Sequence, residues 1–150
     1  MIRLSRLADY GVVLTTFLAR HPDGWLTATE LSSTTALPAP TVAKVLKVLV
    51  QEHILESHRG TKGGYALSRP ARDISVADIV SALDGPIALT ECMGLESGSC
   101  EIESLCPTRV NWRTINDAIT VALKSVTIAD MAAPSFPPTG KGRVESWHRA

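Results

Sequence analysis

Residues 26–68, LTATELSSTTALPAPTVAKVLKVLVQEHILESHRGTKGGYALS, read as two short helices around a proline turn, followed by a glycine-rich hairpin. Thr27 and Glu30 have the spacing of a capping box, in which the hydroxyl takes a free helical N–H and the carboxylate reaches back to the cap. Leu26 and Leu31 stand where a hydrophobic staple would. The helix they open should run to about Thr35. Leu37-Pro38-Ala39-Pro40 then breaks the chain, and Pro40 suits the first position of a helix, where its missing N–H costs nothing. Val42, Val45, Leu46 and Leu49 form the inner face of that next helix, while Thr41, Lys44, Lys47 and Gln51 project from the other side. A second helix with a small, basic outer face is the pattern of a helix-turn-helix that enters a major groove.

The hairpin strengthens the pattern. Residues 54–58 and 65–68 read as short strands around Arg59-Gly60-Thr61-Lys62-Gly63-Gly64. Three glycines let the backbone approach a neighbour closely, and the tip offers Arg59 and Lys62 to phosphates or to a narrow minor groove. A loop that is basic only for solubility is the plainer alternative, and helix and wing together favour nucleic acid over it. The expected fold class is mainly α with a small β-hairpin: a winged helix-turn-helix domain plus a long C-terminal helix.

Working outward, Leu7, Tyr10, Gly11, Leu14, Phe17 and Leu18 share one stripe of a first helix over 5–20, which His21-Pro22-Asp23-Gly24 stops. Ser75 and Asp78 cap a fourth helix bearing Val76, Ile79, Val80 and Leu83, ended by Gly85-Pro86. Trp112, Ile115, Ile119, Leu123 and Val126 make a stripe that predicts a helix of about twenty residues. So small a domain cannot cover that face, which implies packing against a second copy. From Ala133 the periodicity is lost. The chain therefore divides into a DNA-binding domain (1–85), a cysteine loop (86–106), a dimerisation helix (107–131) and a disordered tail (132–150).

The formal net charge of zero conceals segregation. Residues 39–72 carry six Lys or Arg against two acids, whereas residues 73–106 carry seven acids and no Lys or Arg. One half suits a polyanion and the other repels it, unless both are ordinary solvated faces. No run approaches the roughly 18 apolar residues of a membrane span, and the start of the chain has no signal-like apolar segment, so a cytoplasmic location and no membrane partner are expected.

Cys92, Cys100 and Cys106, the only cysteines, fall within fifteen residues. An odd count argues against a disulfide framework. Three thiolates held together repel one another unless a cation neutralises them, so the cluster asks for a metal centre. An iron-sulfur cluster, a structural zinc ion and free thiols are the three alternatives; spacings of eight and six, without a CxxC pair or a histidine in the loop, favour the cluster over zinc. His21, His53, His58 and His148 are scattered and read as surface residues. No CxxC motif, phosphate-binding glycine loop or Cys/His pair supports an enzyme.

Arg3-Leu4-Ser5 with Asp9-Tyr10, the wing Arg59-Gly60 with Gly63-Gly64-Tyr65, the helix start Ser75-Val76-Ala77-Asp78-Ile79, and the three cysteines before Trp112 follow one another in an order that resembles the iron-sulfur cluster regulator family, the IscR-like winged-helix transcription factors, over residues 1–131. The wording Glu91-Cys92 and Cys106-Pro107 to Asn111-Trp112-Arg113 looks most like the branch that regulates the SUF cluster-assembly operon. The resemblance implies a homodimer on palindromic double-stranded DNA, a repressor of cluster-assembly genes. Each protomer would hold a 4Fe-4S or 2Fe-2S cluster whose presence, redox state or reaction with nitric oxide alters operator affinity. Arg109 stands where some relatives place a ligating histidine, and an arginine cannot serve as an ordinary ligand. Asp9 matches an acidic residue that reaches the cluster from the partner chain in nitric-oxide-sensing relatives, which makes it the first candidate for a fourth ligand; a plain helix-start carboxylate is the alternative.

Overall fold

A computed structural model describes residues 3–94 and 100–134. Helices α1 (Arg6–Ala19), α2 (Ala28–Thr35) and α3 (Ala39–Gln51) precede a hairpin of β1 (Leu55–His58) and β2 (Gly64–Leu67), then α4 (Val76–Asp84), α5 (Arg109–Ser125) and α6 (Ile128–Ala132). Single turns of 3-10 helix stand at Ala71–Asp73, Glu91–Met93 and Glu103–Leu105. The winged helix-turn-helix expected from the sequence is present. No described helix is long and apolar enough to cross a membrane.

Local chemistry sets the helix starts. Thr27 with Glu30, Ser75 with Asp78, and Thr127 with Asp130 each form a complete capping box at the head of α2, α4 and α6. Ser5 caps α1 and also donates its hydroxyl to Asp84 at 2.5 Å, which ties the start of α1 to the end of α4. A side chain at Gly11 would collide with Leu83 and Ile79, so the glycine allows α1 and α4 to lie in close contact. Around that contact Leu14, Leu31, Leu46, Leu49, Leu55, Ile74, Ile79 and Ile128 are fully buried. Each such side chain contributes about 1.5–3 kcal/mol of transfer free energy.

The sequence expectation fails at the C-terminal helix. A single helix over 107–131 is predicted, but α5 ends at Ser125 and Val126 is extended, with φ −101° and ψ 118°. Thr127 then caps a separate α6, and the intervening backbone bridges to the start of α4: Val76 N–H donates to Val126 C=O at 2.9 Å and Ile128 N–H to Ile74 C=O at 2.8 Å. Burial of Ile128 in the core outweighs continued helix, so α6 returns to pack on α1. Val126 accordingly leaves the apolar stripe of α5. The predicted disordered tail over 132–150 lies outside the described residues from 135 onward.

Candidate nucleic-acid interface and cysteine centre

Val42, Val45, Leu46 and Leu49 are each fully buried, and this fixes the rotation of α3 about its axis. Lys44, Lys47 and Gln51 are consequently exposed on the opposite face, with Thr41 half-buried in the first turn. The turn into α3 is held by a left-handed Ala36, φ 57°, and by the Ser32 hydroxyl, which donates to Leu37 C=O at 2.7 Å. A non-glycine residue in that region costs about 1 kcal/mol, which the buried contacts of both helices offset.

The wing is anchored at both ends. β1 pairs with β2 antiparallel, from Leu55 opposite Leu67 to His58 opposite Gly64. Leu26 adds a one-residue third strand, exchanging backbone hydrogen bonds with Tyr65 at 3.1 and 2.8 Å. A Cβ on Gly64 would lie 2.6 Å from the Leu26 carbonyl oxygen, so this pairing requires glycine there. Arg59 and Lys62 are exposed beyond the paired residues. The left-handed His53, φ 56°, turns the chain from α3 towards the wing, and its carbonyl accepts from the Ser68 hydroxyl at 2.6 Å and from Arg69 Nη1 at 3.2 Å.

Arg69 also donates from Nε to Asp73 C=O at 3.1 Å and lies 3.7 Å from the Asp78 carboxylate, while Arg72 faces Asp73 at 3.9 Å. Arg69 binds the wing's exit to α4 and is not part of the free positive face, whereas the exposed Arg72 meets only its neighbour Asp73. Among the described residues Lys44, Lys47, Arg59 and Lys62 have no ion-pair partner. The basic segment is therefore smaller than its formal charge suggests, and it is divided between α3 and the wing tip.

The three cysteines are free and half-buried. Cys92 lies in the 3-10 turn after Thr90, whose Oγ1 is 3.2 Å from its Sγ. Cys106 follows the next 3-10 turn, and its Sγ is 3.4 Å from Thr108 Oγ1. The Thr108 hydroxyl, then the Thr108 amide, hold the Cys106 thiol below its ordinary value, and the amide and charge of Arg109 act in the same direction against burial. Thr108 makes no capping bond to α5.

Both ends of the cysteine loop rest on α5. Asn116, nearly buried, accepts from Leu89 N–H at 3.0 Å and donates to Ile87 C=O at 3.1 Å. Arg109 N–H donates to Cys106 C=O at 3.4 Å at the other end. Sequence reasoning misses Asn116, because a polar residue between stripe positions looks like an exposed one. Its only signal is that it falls one position after Ile115 on the inner side of the stripe.

Among the described residues no three His, Cys, Asp or Glu side chains stand together as a metal-binding group. The middle of the loop, 95–99, lies outside those residues. The donor set still suits a thiophilic centre: three thiols, none in a disulfide, one already biased towards thiolate. Asp9 is exposed in the first turn of α1, beside Arg3, Leu4, Ser5 and Arg6 around a shallow groove.

Half of the apolar stripe of α5 is uncovered. Trp112 and Ile115 are 40 and 44% exposed, whereas Ile119 and Leu123 are half-buried and line one groove with Val80 and Ile87; Val110 and Val121, 75 and 64% exposed, lie on the opposite side of the helix.

A family model described as Rrf2, iron-dependent transcriptional regulator, matches residues 4–134. An HTH-type transcriptional regulator of Mycobacterium tuberculosis is 31% identical over 137 residues, covering 91% of this chain and 84% of its own. Among solved structures, CymR, the global cysteine regulator of B. subtilis, superposes with a TM-score of 0.73 at 26% identity, covering 91% of this chain and all of its own. IscR of T. potens gives 0.67 at 27% identity, covering 87% and 85%.

Proposed function

The chain belongs to the Rrf2 family of transcriptional regulators, which makes it a DNA-binding regulator and not an enzyme, and on that premise we propose that it is a repressor controlled by an iron-sulfur cluster. Cys92, Cys100 and Cys106 supply thiolates to a 4Fe-4S or 2Fe-2S cluster, and Asp9 of a second copy completes the site. The observation that carries this reading is that every cysteine lies free on one loop, both of whose ends are hydrogen-bonded to α5. When bound, such a cluster supplies an iron centre open to oxidation, loss or attack by nitric oxide.

The chain's own residues carry the consequence. Gathering three thiols draws the loop together, and Asn116 and Arg109 pass that constraint to α5. α5 packs on α4, and α4 packs on both α1 and α3. In a homodimer joined through the exposed face of α5, the same constraint sets the separation of two α3 helices, which must match two half-sites of a palindromic operator. Lys44, Lys47 and Lys62 bind phosphates, Thr41 meets the groove, and Arg59 reads groove width or a base edge. Genes of cluster assembly are the proposed targets, since a regulator that loses its own cluster reports a shortage of them.

The test is purification without oxygen, followed by iron, sulfide and zinc analysis and a visible spectrum. A brown protein that bleaches in air is expected. A colourless protein with stoichiometric zinc would replace this reading with a winged-helix DNA-binding protein braced by zinc. Asp9→Ala should retain a cluster of greater lability, whereas Ala at any of the three cysteines should abolish it; unchanged lability would remove Asp9 from the ligand set.

A further inference from the structure

The start of α5 is built unlike the starts of α2, α4 and α6. Those three carry complete capping boxes with an acid in the first turn, whereas α5 has no side-chain cap and no acid there. Its first residue is instead Arg109, the only Lys or Arg between Arg72 and Arg113. A cation at a helix N-terminus opposes the macrodipole, so helix stability does not account for this residue.

Its neighbours do. Glu103, Cys106 and Arg109 recur at intervals of three, with the thiol between the two charges in sequence. Arg109 Nη2 donates to Glu103 Oε1 at 2.6 Å, and the Glu103 side chain is only 11% exposed. Arg109 Nε is shielded from solvent and has no acceptor among the described residues. A shielded donor without an acceptor is costly to leave so, and a guanidinium retains its charge at any pH. Arg109 N–H donates to Cys106 C=O at 3.4 Å, and the Arg109 charge, partly offset by Glu103, acts on the Cys106 thiol in a segment otherwise rich in acids.

We propose that Arg109 is the charge-compensating residue of the cysteine centre, held in place by Glu103. Its charge opposes that of the thiolates gathered on the loop. This rests on the reading of the cysteines as one centre. It adds that the arginine stabilises whichever state of that centre is more negative.

The first test uses the cluster-free chain. Cys106 is alkylated with anionic iodoacetate and with neutral iodoacetamide at low ionic strength, and the site is resolved by peptide mass spectrometry. Because both reagents meet the same thiolate fraction, the rate ratio reports local potential alone. Arg109→Gln should lower the iodoacetate-to-iodoacetamide ratio by about threefold, Arg109→Lys should keep most of it, and Arg113→Gln, one turn further on, should lower it clearly less. An unchanged ratio in folded Arg109→Gln, or an equal fall in Arg113→Gln, overturns the assignment.

The second test uses the chain purified without oxygen. Arg109→Gln should shift the midpoint potential of a bound cluster to more negative values, by about 59 mV if the reduced state is stabilised tenfold by the arginine. An unmoved potential overturns the assignment while leaving the cluster reading intact. Wild-type protein that holds no iron, together with a ratio that falls as expected, overturns the cluster reading and leaves Arg109 as the cation of the thiol centre.

Discussion

The DNA-binding half of the chain is finished within one protomer, and the half that carries the cysteines is not. In the first, α3 is locked by four fully buried side chains and the wing by backbone pairing and the Ser68 and Arg69 contacts to His53. In the second, α5 buries only Asn116 among its seventeen residues, leaves four large apolar side chains exposed, and starts without a cap. A well-packed winged helix joined to a sparsely packed cysteine arm would suit the proposed switch, because the missing contacts are those that an effector and a second copy can supply.

The sharpest way to break that comparison is to charge the open face. Ile115 is 44% exposed, so Asp there costs one chain little, but it would bury an unpaired charge in a dimer. Ile115→Asp should sediment as a monomer, keep nearly its full melting temperature, and lose binding to a two-fold operator. Ile119 is a poorer choice, since it is half-buried and lines the groove between α4 and α5, where its replacement would confuse folding with assembly. A dimer that survives Ile115→Asp would place the interface elsewhere.

Leu46→Ala probes the other half. It removes a fully buried side chain beneath α3 and should cost about 2–5 kcal/mol in chemical denaturation, whether or not the cysteines are occupied. An equal loss from Trp112→Ala in the isolated chain would erase the difference between the halves. Asn116→Ala should cost less, about 1–3 kcal/mol, because it leaves the Leu89 N–H and the Ile87 carbonyl without their partner. Its larger effect should be on hydrogen exchange at Leu89, which should accelerate while α3 amides stay protected.

What the sequence reveals follows the same division. The Thr27–Glu30 and Ser75–Asp78 boxes, the proline turn and the wing glycines act over three or four residues, so the chain text alone exposes them. The break at Val126 is harder to see: an apolar stripe runs on through it, and the Thr127–Asp130 box that signals a fresh start matters only because Ile128 reaches the core. Asn116 and Arg69 are illegible for a related reason. Their partners stand 27 and 29, and 4 to 16, residues away, and only the folded chain brings them into range.

The smallest expected effect lies on the winged helix itself. Lys62→Ala should flatten the salt dependence of operator binding by about 0.9 logarithmic units per logarithmic unit of salt, the loss of one phosphate contact. Arg59→Ala should instead reduce the preference for operator over random duplex. Equal losses on both duplexes would make Arg59 another phosphate contact.

The central claim is that occupancy of the cysteine centre in the incomplete half changes what the finished half binds. Its direct test is the affinity of the full chain, purified without oxygen, for a duplex that the protein itself selects from a random pool, measured before and after the cluster is removed. A difference of at least about fivefold is predicted, with Cys106→Ala behaving as the cluster-free protein under both conditions. Equal affinities with and without a bound cluster would contradict the account.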